Sequence, residues 1–143
     1  MEFRLMEKKD LEQVCEIERK TFSQPWSKAD FEASILNPNH IYIVAEEKKE
    51  IVGYCGLWMV AGEGQINNVA VREDFRQKGV GYGMLSFLLK LGREKNQDAF
   101  TLEVRAGNEA AIRLYEKLGF HSAGLRKGFY EKPREDANIM WLL

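Results

Sequence analysis

Apolar residues along this chain change their period several times, and each change marks an element. Phe3 and Leu5 alternate with polar neighbours and predict a short first strand. Leu11, Val14, Cys15, Ile17 and Phe22 then recur at helical spacing behind Asp10 and Gln13, which read as a capping box; the helix should run to the break at Ser23-Gln24-Pro25-Trp26. Ser27 with Asp30 opens a shorter helix carrying Phe31, Ile35 and Leu36, and Asn37-Pro38-Asn39 ends it. Residues 41–45 and 51–60 are rich in β-branched and aromatic types, so the charged run between them predicts a hairpin. A turn at Gly62-Glu63-Gly64 leads to a third strand over 65–71. Farther on, Met84, Leu85, Leu88, Leu89, Leu91 and Gly92 form the broad apolar face of a helix that a sheet must cover. Residues 99–105 alternate, with Phe100, Leu102 and Val104 facing one way and Thr101, Glu103 and Arg105 the other. Asn108 can cap a helix whose stripe is Ala111, Ile112, Leu114, Tyr115 and Leu118, with Gly119 as its stop. Residues 120–130 and 137–143 predict two closing strands around a loop containing Pro133. The pattern adds up to a mixed α/β sheet with helices on both faces, expected to be one domain over 1–143.

Composition narrows the chemistry. With 143 residues, 45% of them hydrophobic, the chain can bury a core without staples. A formal net charge of −1 leaves no electrostatic footprint for nucleic acid. Cys15 and Cys55 lie far apart and no CxxC or Cys/His ligand spacing exists, so no metal site is expected and both read as small buried hydrophobes. Neither His40 nor His121 has a context linking it to a cysteine, which argues against a covalent acyl carrier. No apolar run approaches the roughly 18 residues that span a bilayer, and the N-terminus lacks a signal-peptide core, so a cytoplasmic protein is expected.

The stretch with most chemical content joins the third strand to the helix after it. Val69-Ala70-Val71 runs through Arg76-Gln77-Lys78-Gly79-Val80-Gly81-Tyr82-Gly83 into Met84. Glycines at a helix start let backbone N–H groups approach a ligand, and the helix adds unpaired donors and a positive dipole end, which together make a seat for phosphate. A Walker pattern is absent, because no Gly-Lys-Ser or Gly-Lys-Thr occurs. The Rossmann pattern GxGxxG also fails, since Met stands at 84 and residues 72–78 separate strand from glycines.

What remains, R-x-x-G-x-G from Arg76 to Gly81, resembles the acetyl-CoA-binding motif of the GNAT N-acetyltransferases. Leu102-Glu103-Val104-Arg105, Asn108-Glu109-Ala110-Ala111-Ile112, Leu114-Tyr115-Glu116-Lys117-Leu118-Gly119-Phe120, Glu135-Asp136-Ala137 and Met140 extend the likeness over nearly the whole chain, toward the RimI branch of that family. The resemblance implies a GNAT fold with a mixed, mostly antiparallel sheet, and transfer of acetyl from acetyl-CoA to the N-terminal alanine of a small-subunit ribosomal protein. A GNAT acting on lysine or a small amine, and a non-catalytic acyl-CoA-binding module, are the rival readings.

Site residues follow from the same resemblance. Glu103 matches the general base and Tyr115 the acid that protonates the departing CoA thiolate; on the residues alone Glu103 also fits a solvated strand position and Tyr115 a core aromatic. A phenol with a pKa near 10 can pass its proton to a thiolate whose conjugate acid is near 8.5. The edge at Val69, Ala70 and Val71 is expected to pair with the pantetheine arm, and the backbone of Gln77, Lys78, Gly79, Val80, Gly81 and Tyr82 to wrap the pyrophosphate, with Asn108 as a further CoA contact. The Gln24-Pro25-Trp26 loop and Tyr130, Arg134 and Glu135 match regions lining the peptide groove, though Trp26 fits an ordinary packing residue equally well.

Overall fold

The computed structural model describes residues 1–143. Seven strands form one sheet: β1 (Glu2–Leu5), β2 (His40–Glu47), β3 (Glu50–Val60), β4 (Glu63–Val71), β5 (Ala99–Arg105), β6 (His121–Glu131) and β7 (Arg134–Leu142). Their order across the sheet is β1-β2-β3-β4-β5-β7-β6, and every neighbouring pair is antiparallel except β4 with β5. The helices are α1 (Leu11–Thr21), α2 (Lys28–Leu36), α3 (Val80–Glu94) and α4 (Glu109–Lys117). No helix is long and apolar enough to cross a membrane.

Two apolar clusters cover the two faces of the sheet. The face under α3 and α4 buries Ile43, Leu57, Met84, Leu85, Leu88, Phe100, Leu102 and Val104 among others, while the face under α1 and α2 buries Leu11, Val14, Phe31, Val44 and Tyr54. The alternation read in β5 is obeyed: Phe100, Leu102 and Val104 are buried, and Thr101, Glu103 and Arg105 are half-buried on the other face.

Local signals decided most element ends. Ser27 and Asp30 form the reciprocal cap expected for α2, with Ser27 N–H donating to Asp30 at 2.9 Å and Asp30 N–H to Ser27 Oγ at 3.2 Å. The corresponding box proposed for Asp10 and Gln13 does not form. Arg4 donates to both Asp10 oxygens at 2.8 and 2.9 Å and Glu7 N–H donates to one of them at 2.8 Å, while Gln13 Oε1 accepts from Ile51 N–H on β3 at 2.9 Å. A bidentate guanidinium six residues back outcompetes a neutral amide three residues ahead, and although burial raises Asp10, hydrogen bonds from Arg4 and the Glu7 N–H hold it below the usual carboxylate range.

One irregularity interrupts β4. The β3–β4 register steps from Tyr54↔Ala70 to Gly56↔Asn67, so β4 carries one extra residue, and Asn68 takes φ 53° there. Ile66 and Ala70 would share a face in a regular strand; instead Ile66 packs under α3 and Ala70 under α1.

Candidate active site

The cleft begins where a ladder stops. β4 and β5 pair only at Glu63↔Ala99, Gly64↔Phe100 and Gln65↔Thr101. Beyond Gln65 the edge of β4 facing β5 has no ladder partner, and β5 continues with β7 alone, Glu103 opposite Ile139 and Arg105 opposite Ala137. The strands therefore part toward their C-terminal ends, leaving backbone donors and acceptors of Val69, Ala70 and Val71 along one wall of a gap. Val69 and Val71 lean on the α3 core and Ala70 is buried on the opposite face, so none of these side chains blocks that edge.

The glycine loop closes one end of the gap. After β4, residues 73–75 make a single tight turn, and Arg76 folds back so that its Nε donates to the Val71 carbonyl at 2.9 Å. Gln77 (φ 62°) and Gly79 (φ 82°) take left-handed backbone, and α3 starts at Val80, whose side chain is buried in the core. Between Gln77 and Tyr82 no backbone N–H finds an acceptor in the protein; the first intrahelical bond runs from Gly83 N–H to the Gly79 carbonyl at 3.1 Å. Six consecutive free donors at the positive end of a 15-residue helix form an anion cradle. A Cβ on Gly79 would meet nothing within 4 Å, so it is the left-handed backbone that asks for glycine there. A Cβ on Gly81 would lie 3.0 Å from Leu114 Cδ2, where α3 passes close to α4. Lys78 lays its ammonium 5.3 Å over the Phe75 ring and Lys117 stands 5.1 Å over Tyr82.

Asn108 caps α4, accepting from Ala111 N–H at 3.2 Å, while its own amide NH2 has no partner in the protein. Tyr115 is only 6% exposed; its ring meets Phe120 edge-on at 6.0 Å and its hydroxyl makes no hydrogen bond within the protein. Burial pushes the phenol above the usual tyrosine range, which keeps it protonated. The Glu103 side chain is 18% exposed, with one oxygen 3.6 Å from Arg126 Nη1, too long for a hydrogen bond, and the other sealed from solvent without any partner. Glu103 stands on the face of β5 opposite Leu102 and Val104, whereas Tyr115 belongs to the cluster holding those residues. Glu103 and Tyr115 therefore approach β5 from opposite faces of the sheet.

The remaining walls come from two loops. Arg105 donates to the carbonyls of Lys132 at 3.0 Å and Pro133 at 2.8 Å and covers the Tyr130 ring at 4.3 Å, fixing the β6–β7 turn. Glu135, expected to line a groove, accepts from Gly107 N–H at 2.6 Å and from Arg105 at 3.3 Å, contacts that tie the turn to residues 105–107. Tyr130 is half-buried beside Glu103, and burial followed by the Glu103 charge raises its phenol. Ser23, between α1 and α2, donates its hydroxyl to the Lys132 carbonyl and joins the two loops. The Trp26 ring packs on Phe31 at 5.2 Å and Tyr42 at 6.0 Å, which makes it a packing residue under the loop. Cys15 and Cys55 are buried free thiols, both raised by burial.

Sequence reasoning missed Arg126 beside Glu103, and it missed the group behind Trp26. Glu18 Oε1 accepts from the Tyr54 hydroxyl at 2.6 Å, and Glu18 Oε2 accepts from Trp26 N–H at 3.0 Å and Asn68 Nδ2 at 3.4 Å. A signal existed: positions 11, 14, 15 and 18 are the helical stripe of α1, and a carboxylate on it is out of place.

Residues 11–120 match the acetyltransferase (GNAT) family. A Bacillus subtilis relative, provisionally named a ribosomal protein bS18-alanine N-acetyltransferase, is 38% identical over 97% of this chain and 93% of its own length. The Escherichia coli K12 protein named ribosomal protein bS18-alanine N-acetyltransferase is 33% identical over 96% of this chain and 93% of its own. The crystal structure of the Escherichia coli ribosomal-protein-S18-alanine N-acetyltransferase superposes with a TM-score of 0.89 at 31% identity, covering 99% of this chain and 92% of that one. With the parted β4 and β5, the free donors before α3 and these full-length matches together, the chain belongs to the acetyltransferase (GNAT) family.

Proposed function

We propose that this protein transfers the acetyl group of acetyl-CoA to the N-terminal α-amine of a small-subunit ribosomal protein beginning with alanine. The observation that carries the reading is the unpaired β4 edge beyond Gln65 running into six unpartnered N–H groups at the start of α3. An extended arm with amide groups fits the first and a pyrophosphate fits the second. The names of the full-length relatives supply the acceptor class.

Acetyl-CoA brings an activated thioester; the chain's own groups align and move protons. Val69, Ala70 and Val71 would hold the pantetheine arm along the edge, residues 77–82 the pyrophosphate, and Asn108 would donate its spare amide hydrogens. Glu103 takes a proton from the amine nitrogen as that nitrogen forms its bond to the acetyl carbon. Its sealed oxygen has no other donor to satisfy, so it is free for this one. As the carbon–sulfur bond breaks, Tyr115 gives its proton to the leaving sulfur. The buried phenol is a competent donor because its proton is retained at neutral pH and no protein acceptor competes for it.

The state of the amine favours an N-terminus over lysine. An α-amine has a pKa of about 7.7 to 8.0 and lysine about 10.4, a gap worth about 3.5 kcal/mol at 1.36 per unit. One carboxylate can finish the first deprotonation; the second asks for more than Glu103 offers. The test is a pair of peptides incubated with acetyl-CoA, one with a free N-terminal alanine and one N-blocked with an internal lysine, read by mass spectrometry. Acetylation at the first nitrogen of the former is expected, and preferential modification of the lysine would overturn the reading.

A further inference from the structure

The third turn of α1 places a carboxylate where the helix buries its apolar stripe. Glu18 is 2% exposed, and no cationic side chain lies within ion-pair distance of it; three neutral donors satisfy it instead. Burying a carboxyl group away from water is unfavourable, and a Leu or Met at this position would avoid that desolvation. A carboxylate does one thing neither can do: it ties together groups from three elements. The Trp26 N–H belongs to the α1–α2 loop, whose Ser23 reaches across to the β6–β7 turn. Asn68 is the bulge residue of β4, immediately before Val69, and its Oδ1 is held in turn by the Tyr42 hydroxyl at 2.9 Å. Tyr54, on β3, anchors the carboxylate itself.

Resting on the reading above, we propose that Glu18 is a positioning residue that fixes the acceptor-side loop at residues 22–27 relative to the β4 bulge, so that the amine arrives in line with the thioester held on the β4 edge. Ala70 and Val71 of the cofactor edge keep their own ladder partners Tyr54 and Gly53 on β3, and the donors before α3 are held by that helix, so loss of Glu18 should bear on the acceptor more than on acetyl-CoA. A misplacement of about 1 Å at a reacting pair can cost on the order of 10²-fold.

Glu18→Met tests this, because methionine fills a similar volume and removes every acceptor. The expected result is a folded protein with a lowered melting temperature, since the Tyr54 hydroxyl, the Trp26 N–H and the Asn68 amide lose their acceptor, an acetyl-CoA dissociation constant by calorimetry within about threefold of wild type, and acceptor kcat/KM lowered on the order of 10- to 100-fold. Hydrogen exchange should quicken at the Trp26 amide. Glu18→Gln should recover most of the loss, since its amide can turn to leave an oxygen on Trp26 N–H and present NH2 to the Tyr54 oxygen, which can accept. Wild-type acceptor kinetics in Glu18→Met, or parallel losses of acetyl-CoA affinity and acceptor use, would overturn the proposal. If Glu18→Met does not fold, Asn68→Gly keeps the left-handed backbone while cutting the bridge to the bulge, and wild-type kinetics there would overturn it equally. Calorimetry and exchange need no acceptor. A wild-type enzyme that ignores peptide N-termini would sink the preceding reading alone, and the Glu18 split is then measured on the amine it does use.

Discussion

Tyr115→Phe separates catalysis from folding more cleanly than any other substitution here, because the phenol oxygen has no hydrogen-bond partner within the protein. Deleting it orphans no buried group, and the edge-on packing of the ring against Phe120 at 6.0 Å is kept. The expected change in folding free energy is therefore small, about 0.5 kcal/mol or less, against the 1 to 3 kcal/mol typical when a buried partner is left unsatisfied. Turnover should behave in the opposite way. Loss of a positioned general acid lowers kcat by about 10² to 10⁴, which is about 2.7 to 5.5 kcal/mol of barrier. Urea midpoints measure the first quantity, and mass-spectrometric counting of acetylated alanine peptide under saturating acetyl-CoA measures the second. The wild type adds a check: burial raises this phenol, so its proton stays on through pH 9 and it contributes no falling limb to kcat below about pH 10. Full turnover in Tyr115→Phe would refute the acid role. A loss of stability above about 2 kcal/mol would refute the unpartnered hydroxyl.

Glu103→Gln should lower turnover by about 10² to 10⁴ while calorimetric acetyl-CoA binding survives; full turnover at neutral and acidic pH would leave Glu103 a half-buried strand residue. Acetyl-CoA at about a hundred times its dissociation constant should stabilise the fold by roughly 2.7 kcal/mol in thermal melts, and free acetate should not. Gly79→Val should abolish that shift, because valine opposes φ 82° and so displaces the backbone that carries the free N–H groups; a retained shift would remove the loop from the site. Tyr42, Tyr54 and Tyr115 all have phenols raised chiefly by burial, so the folded state holds those protons more tightly than the unfolded chain. Their contribution is complete below pH 10 and is lost as pH climbs above it, at about 1.4 kcal/mol per pH unit for each group, and denaturant midpoints that stay flat from pH 9 to 11 would contradict it.

The elements themselves were legible because they rest on local physics. Period-2 alternation in β5, the Ser27–Asp30 cap, the Asn108 cap and the glycine-rich start of α3 each depend on residues within a few positions of one another. The positions of Glu103 and Tyr115 on their elements were equally legible. Which groups meet was not. The parting of β4 from β5 after three paired residues, the left-handed Asn68 that turns Ala70 to the opposite face, and the approach of Arg126 to Glu103 depend on partners tens of residues away. Gln13 shows it from the losing side, since the expected cap partner of Asp10 turns instead to Ile51 N–H on β3, 38 residues away. Glu18 shows it most fully. Its place on the apolar stripe of α1 was a signal that the sequence reading passed over, and only the tertiary structure could decide that Trp26, Tyr54 and Asn68 converge on it, because a buried carboxylate is satisfied by whatever donors the fold brings within about 3 Å.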